Sequence, residues 1–272
     1  MNRLVEHGAP LLLVLDFPGY RTEARVRDLR LDEHGLRVHE LLRHPLPRET
    51  TGAAYIRRLL SAHPVPAVPV AAVLAYCASA PLALELAEAT AGRQRHLPQV
   101  ILFDAVASTR DAVRAAHRDA LARLGPVRAG EETADPAFLS ADPDYFVEAA
   151  VRDVERKAVD LLRADGATAH EATESAAHMA GGYADWLTHL VAAPRSRASS
   201  WSGNILRIAS ADHPRDAFPV TAHRVEDVQV DCAREHLLRD EGTRTAVLSF
   251  LAATAPPAPV RSGTDGDEYP RS

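Results

Sequence analysis

Val73-Leu74-Ala75-Tyr76-Cys77-Ala78-Ser79-Ala80-Pro81-Leu82-Ala83-Leu84-Glu85-Leu86-Ala87 decides how this 272-residue chain is read. An apolar run stops at a turn of small residues, and apolar positions at three- and four-residue spacing follow at once. Pro81 comes early in that second segment, where a helix tolerates its missing N–H. The stretch therefore predicts strand, sharp turn, helix. Cys77 stands on the turn, where a helix N-terminus favours a thiolate and the Ala78 N–H can donate to an oxyanion. The pattern is Ala75-x-Cys77-x-Ser79, small residues flanking a strained position that larger side chains would crowd. An ordinary buried cysteine in a βα turn fits the same letters. Ser79 is a rival nucleophile, although its place two residues further on suits capping or packing.

Outward from this stretch, short apolar runs bounded by turn residues recur at Leu11–Leu15, Val68–Tyr76, Val100–Phe103 and Ile205–Ala209, with Val228–Val230 as a fifth candidate. None alternates for long between apolar and polar, which predicts strands buried on both faces. Helical spacing fills Thr51–Ala62, Pro81–Ala91 and Thr243–Ala253. Strand and helix in alternation imply right-handed crossovers and a doubly wound, mostly parallel α/β sheet. Three longer helical segments, Asp111–Leu124, Asp144–Ala164 and His170–Val191, lie between the third and fourth strands. Gly181-Gly182 in the last of them suits a kink, a hinge or close helix packing. The expected organisation is a core over 1–110 and 195–254, a helical lid over 111–194 and a disordered tail over 255–272, where Pro, Gly, Ser and charge dominate.

Composition narrows the function classes. A 46% hydrophobic content excludes disorder of the whole chain, and 14 Gly with 2 Cys exclude collagen-like and disulfide-dense scaffolds. No apolar run approaches the roughly 20 residues that cross a bilayer, and Met1–Pro10 lacks the pattern of a signal peptide, so a cytoplasmic protein without membrane contact is expected. The formal charge of -6 argues against a general nucleic-acid binder. No His, Cys and carboxylate spacing suits zinc, and no glycine-rich phosphate loop follows a strand, so no metal or nucleotide cofactor is expected. A Cys77–Cys232 disulfide is disfavoured in a reducing compartment.

A catalytic thiol needs a base, and the base an orienting acid. His236 follows the strand candidate Val228–Val230 and leads into the final helix, which makes it the expected base. His213 is its main competitor; His170, His178 and His189 fall on the helical segments between the third and fourth strands. Two aspartates compete for the acid: Asp104 at the end of Val100–Phe103, and Asp212 just after Ile205–Ser210. Either one is equally an ordinary strand-end or capping aspartate. Trp186 and Trp201, with Tyr183, are candidates to line an acyl channel, Trp186 fitting helix packing better.

These pieces resemble the α/β hydrolases, and among them most the thioesterases that serve nonribosomal peptide and polyketide synthesis. Leu11 to Tyr20, with Asp16-Phe17-Pro18-Gly19, is similar to their oxyanion loop, Ala75 to Ala80 to their nucleophile elbow, and His236 to their base. The resemblance implies an α/β-hydrolase fold with a helical lid and acyl transfer through a covalent intermediate on Cys77. Phe17 and Ala78 N–H groups would form the oxyanion hole. It favours Asp104 slightly over Asp212 as the acid. The substrate it implies is an acyl or peptidyl thioester on the phosphopantetheine arm of a carrier protein, which would be the partner. Leu15-Asp16 departs from the family's His-Gly and sets a carboxylate beside an oxyanion site. Release, cyclisation and transfer of the acyl group are open outcomes. Editing hydrolysis of stalled carriers is an alternative, as is a hydrolase-like protein that only binds.

Overall fold

A computed structural model describes residues 8–19, 21–94, 96–127, 132–196, 200–214 and 217–254; the expected tail over 255–272 lies outside the described residues. Six strands form one sheet: β1 (Leu11–Leu15), β2 (Arg37–Glu40), β3 (Val70–Tyr76), β4 (Gln99–Phe103), β5 (Ser200–Ala209) and β6 (Thr221–Gln229). Their order is β2-β1-β3-β4-β5-β6, and every neighbouring pair is parallel. The chain leaves β1 toward β2 and returns to the other side of β1 for β3. The C-terminal ends of β1 and β3 therefore flank a topological switch point, where open α/β sheets collect their functional groups.

The apolar runs explain the layering. In β1, Leu11, Leu13 and Leu15 join one buried cluster while Leu12 and Val14 join another. On the first face lie α1 (Gly52–Ala62) and α2 (Ala80–Ala91), contributing Tyr55, Ile56, Leu59, Leu82 and Leu86. On the second lie the 3-10 turn Val26–Leu29 and α7 (Glu241–Thr254), contributing Val26, Leu29, Val247 and Phe250. This is the doubly wound arrangement expected from continuous rather than alternating apolar strands.

Between β4 and β5 the chain forms α3 (Arg110–Arg123), α4 (Phe138–Ala141), α5 (Pro143–Ala164) and α6 (Ala169–Ala192). Their starts are written locally. Thr109 accepts from Ala112 N, Asp142 from Tyr145 N, and Thr168 with Glu171 forms a reciprocal capping box. These helices build a third apolar cluster from Val113, Phe146, Val147, Leu187 and Val191, and Ala78 of the turn after β3 belongs to it. The insertion thus packs onto the turn that carries Cys77. Helix α6 runs without interruption through Gly181 and Gly182, and a Cβ built on either meets nothing within 4 Å. Close helix packing is not the reason for these glycines.

Candidate active site

The turn after β3 holds Cys77 at φ +55°, in the left-handed region that a side chain occupies only under constraint. The constraint is steric and hydrogen-bonded: β3 enters it with Ala72 to Tyr76 buried, a 3-10 turn Cys77–Ser79 leaves it, and Val106 N donates to the Cys77 carbonyl. Cys77 is half-buried on a cavity of about 740 Å³, whose wall also includes Phe17, Tyr76, Ala78, Ser79, Trp186 and Arg234.

The side chain that meets the sulfur is an arginine. Arg234 Nη2 donates to Cys77 Sγ at 3.0 Å, and its Nε donates to Tyr76 Oη at 3.0 Å. The same Nε lies 4.0 Å from Asp104 Oδ2 and 3.9 Å from Glu23 Oε1. Burial works against the charge of Arg234, but Cys77, Tyr76 and the bonds to them outweigh it, so its proton is held above the ordinary arginine range. Tyr76 is pushed up to about 12, chiefly by burial, with Arg234 opposing. Two cations lie over its ring, the Arg21 guanidinium 4.4 Å and the Arg234 guanidinium 5.5 Å from its centroid.

His236, the expected base, is not brought to Cys77. It sits in the 3-10 helix Arg234–Arg239, exposed, with no side-chain hydrogen bond or ion pair among the described residues. The reason is phase. At three residues per turn, Arg234 and buried Leu237 share the inward face, while position 236 falls on another. The same peptide that carries the histidine therefore delivers the arginine.

The two aspartates separate clearly. Asp104 has no exposed surface, adopts φ +41° after β4, and accepts from Ser210 N at 2.8 Å and from Ser210 Oγ. His213 lies against it, Nδ1 3.8 Å from Oδ1, with Nε2 3.0 Å from the Ala105 carbonyl. Asp212 is exposed in the turn after β5, with no side-chain hydrogen bond or ion pair among the described residues. Asp104, Arg234 and Cys77 thus form a line in which a guanidinium occupies the middle.

The loop after β1 is organised by two other arginines. Arg25 donates to the carbonyls of Phe17, Pro18 and Gly19. Arg21 grips Asp16 through both carboxylate oxygens, and Val26 N adds a third bond at 2.8 Å. The Asp16 charge is neutralised within this loop, which answers the repulsion that Leu15-Asp16 suggests. Phe17 and Ala78, the expected oxyanion residues, both border the cavity. Trp186 borders it too, whereas Trp201 lies in the sheet core and the Tyr183 hydroxyl meets His117 Nδ1 at 2.8 Å. The two cysteines are not joined.

Of the two roles expected of Ser79, capping or packing, the buried residue takes the second. It makes no side-chain cap bond to α2; its Oγ is 3.0 Å from Nε2 of His189, a fully buried residue of α6. The histidine's other nitrogen is 3.3 Å from Tyr55 Oη. Burial lowers His189 to about 3, so its ring is neutral at ordinary pH. Arg234 and His189 carry no motif of their own in the sequence. Among the described residues no cluster of His, Cys, Asp and Glu is arranged to hold a metal ion, and no helix is long and apolar enough to cross a membrane.

No protein-family model and no curated protein matches the sequence. Several solved structures resemble the chain in three dimensions. One is RedJ, a thioesterase of the prodiginine pathway of Streptomyces coelicolor, 18% identical over 90% of this chain and 86% of its own, with a TM-score of 0.46. Another is the NocB thioesterase domain in covalent complex with a fluorophosphonate nocardicin G analogue, 19% identical over 90% and 96%, TM-score 0.44. A third comes from epoxide hydrolases found in metagenomes of hot environments, 16% identical over 90% and 91%, TM-score 0.46. What the chain itself shows is a doubly wound, all-parallel sheet with helices on both faces; at these identities and TM-scores nothing of the neighbours' chemistry carries over.

Proposed function

We propose that this chain is a thioester acyltransferase, in which Cys77 takes an acyl group from one thiol and hands it to another. The observation that carries the reading is the Arg234 guanidinium 3.0 Å from Cys77 Sγ, backed by Asp104, in the place where a hydrolase needs a base. A cation at that distance stabilises the anionic form of a thiol. Arginine neither takes up nor gives away a proton in such a site.

Exchange between thiolates needs no proton transfer at the site, because an acceptor thiol gives its proton to solvent before it attacks and the expelled thiolate takes one up after it leaves. The Cys77 thiolate attacks the donor carbonyl, a C–S bond forms, and the negative charge moves to the carbonyl oxygen near Phe17 and Ala78. Collapse breaks the donor's C–S bond and expels its thiolate, which leaves past the same guanidinium. An acceptor thiolate then repeats the sequence in reverse on acyl-Cys77. Water as acceptor must lose a proton as it attacks, and Arg234, the group against the sulfur, does not take it up; the carboxylates of Asp104 and Glu23 lie behind the guanidinium, 4.0 and 3.9 Å from its Nε. The site therefore suits transfer better than hydrolysis, and release by water becomes the slow path.

The donor in this reading is an acyl or peptidyl group on a phosphopantetheine thiol of a carrier protein, and a second such thiol is the acceptor. Incubation with acyl-pantetheine thioesters, followed by intact-mass measurement with and without added thiol, tests it. An acyl adduct that is absent in Cys77→Ala, and that is discharged at least about 10-fold faster by thiol than by water, is the expected result. Hydrolysis that survives in Cys77→Ala overturns it in favour of a hydrolase that does not use Cys77, and the lack of any adduct across a broad acyl panel overturns it and leaves a binding protein.

A further inference from the structure

The expected oxyanion hole draws its two amides from different loops, Phe17 after β1 and Ala78 after β3. One side chain of the insertion touches both loops. His189 places Nε2 3.0 Å from Oγ of Ser79, the residue next to Ala78, and packs its ring 5.2 Å from that of Phe17. Trp186, one turn earlier on α6, stacks on His189 at 6.1 Å and meets Phe17 edge-on at 4.8 Å. Tyr55 of α1 closes the group, its hydroxyl 3.3 Å from Nδ1. Every polar atom of the imidazole is thereby engaged, and the residue has no exposed surface.

We infer that His189 is a positioning residue for the oxyanion hole, holding the Ala78 and Phe17 loops in register through Ser79 and the Phe17 ring. The inference rests on the acyl-transfer reading above. Ser79 adds weight: its hydroxyl leaves the N-terminus of α2 without a side-chain cap in order to meet the histidine. A neutral imidazole with two fixed hydrogen bonds orients its neighbours without exchanging protons. The same contact ties the insertion helix that walls the cavity to the turn where charge develops, so displacement of α6 by a bound acyl chain is felt at both amides.

Two reactions of Cys77 separate positioning from mere structural support. Attack on a thioester passes through an oxyanion, whereas alkylation by iodoacetamide does not. In His189→Phe and in Ser79→Ala, acylation by an acyl-pantetheine slows about 10-fold or more, while alkylation changes less than about twofold. His189→Gln, whose amide reaches Ser79, recovers most of the acylation rate, and the Phe/Ala double variant is no slower than either single one because both break one contact. Equal losses in acylation and alkylation, or wild-type acylation in both single variants, overturn the inference while the Cys77 reading stands. A wild-type protein that alkylates but never acylates overturns both.

Discussion

At the scale of single residues, the identity of position 234 decides between transfer and hydrolysis. Arg234→His places an imidazole beside Cys77 with Asp104 behind it. General-base assistance contributes about 10²–10⁴-fold where geometry allows. The variant is expected to raise hydrolysis of acyl-Cys77 relative to thiol exchange by about 10-fold or more, read as the ratio of free acid to transferred thioester. An unchanged ratio means that the middle of the line is not where water would be activated. This residue also marks the limit of the sequence. Cys77 is legible because a strand, small residues and a helix start converge on it, and Asp104 because it ends an apolar strand. Arg234 is not, because arginine is common in this chain, with 31 Lys and Arg of which Lys157 is the one lysine. Its role comes from the phase of a 3-10 turn, which no apolar pattern announces two residues before His236.

At the scale of elements, α6 carries a cost that packing does not repay. A glycine inside a helix is about 1 kcal/mol less favourable than alanine, and α6 holds two in succession. Neither meets a neighbour that a methyl group would strike, and Gly182 opens on the cavity of Cys77, one turn before Trp186. Gly181→Ala and Gly182→Ala are each expected to stabilise the protein by about 0.5–1 kcal/mol in urea unfolding. Gly182→Leu retains the fold but narrows the cavity, so reaction with long or ringed acyl groups falls while that with acetyl persists. Uniform loss across acyl sizes would mean that α6 does not border the acyl path. Elements differ in legibility for a related reason. β1, β3 and β4 are central, covered on both faces, and therefore continuously apolar. β2 (Arg37-Val38-His39-Glu40) and β6 (Thr221–Gln229) are the sheet's edges. Edge strands tolerate charge and gain protection from it, which is why β2 leaves no apolar run and β6 only its last residues.

At the scale of the whole molecule, the buried histidines set how the fold responds to acid. His189 is held at about 3 by burial against an ordinary 6.5, and His117 is lowered by burial although Asp153 beside it pulls the other way. The unfolded chain binds protons at these positions as pH falls through 6.5, and the native state does not. Stability is therefore complete above that point and is lost as pH drops toward the native values. For His189 the loss at pH 5 amounts to about 2 kcal/mol, from one and a half units at about 1.4 kcal/mol each. Asp153 acts lower down. Burial opposes its charge, but bonds from Thr133 and Ala134 and the Arg156 cation outweigh it and depress its carboxyl, so its contribution disappears only below the usual carboxylate range. Urea midpoints at pH 7 and pH 5 should show this drop in the wild type and a drop smaller by about 2 kcal/mol in His189→Gln, whatever that variant costs at pH 7. An equal drop in the two proteins would place the acid sensitivity elsewhere. Protonated His189 loses its single acceptor nitrogen, so its link to Ser79 or Tyr55 weakens only as pH approaches the native value of about 3. Any effect of acid on the acylation of Cys77 through the histidine of α6 should thus set in well below the pH at which stability begins to fall, and a decline that tracks stability from pH 6.5 would place its origin elsewhere.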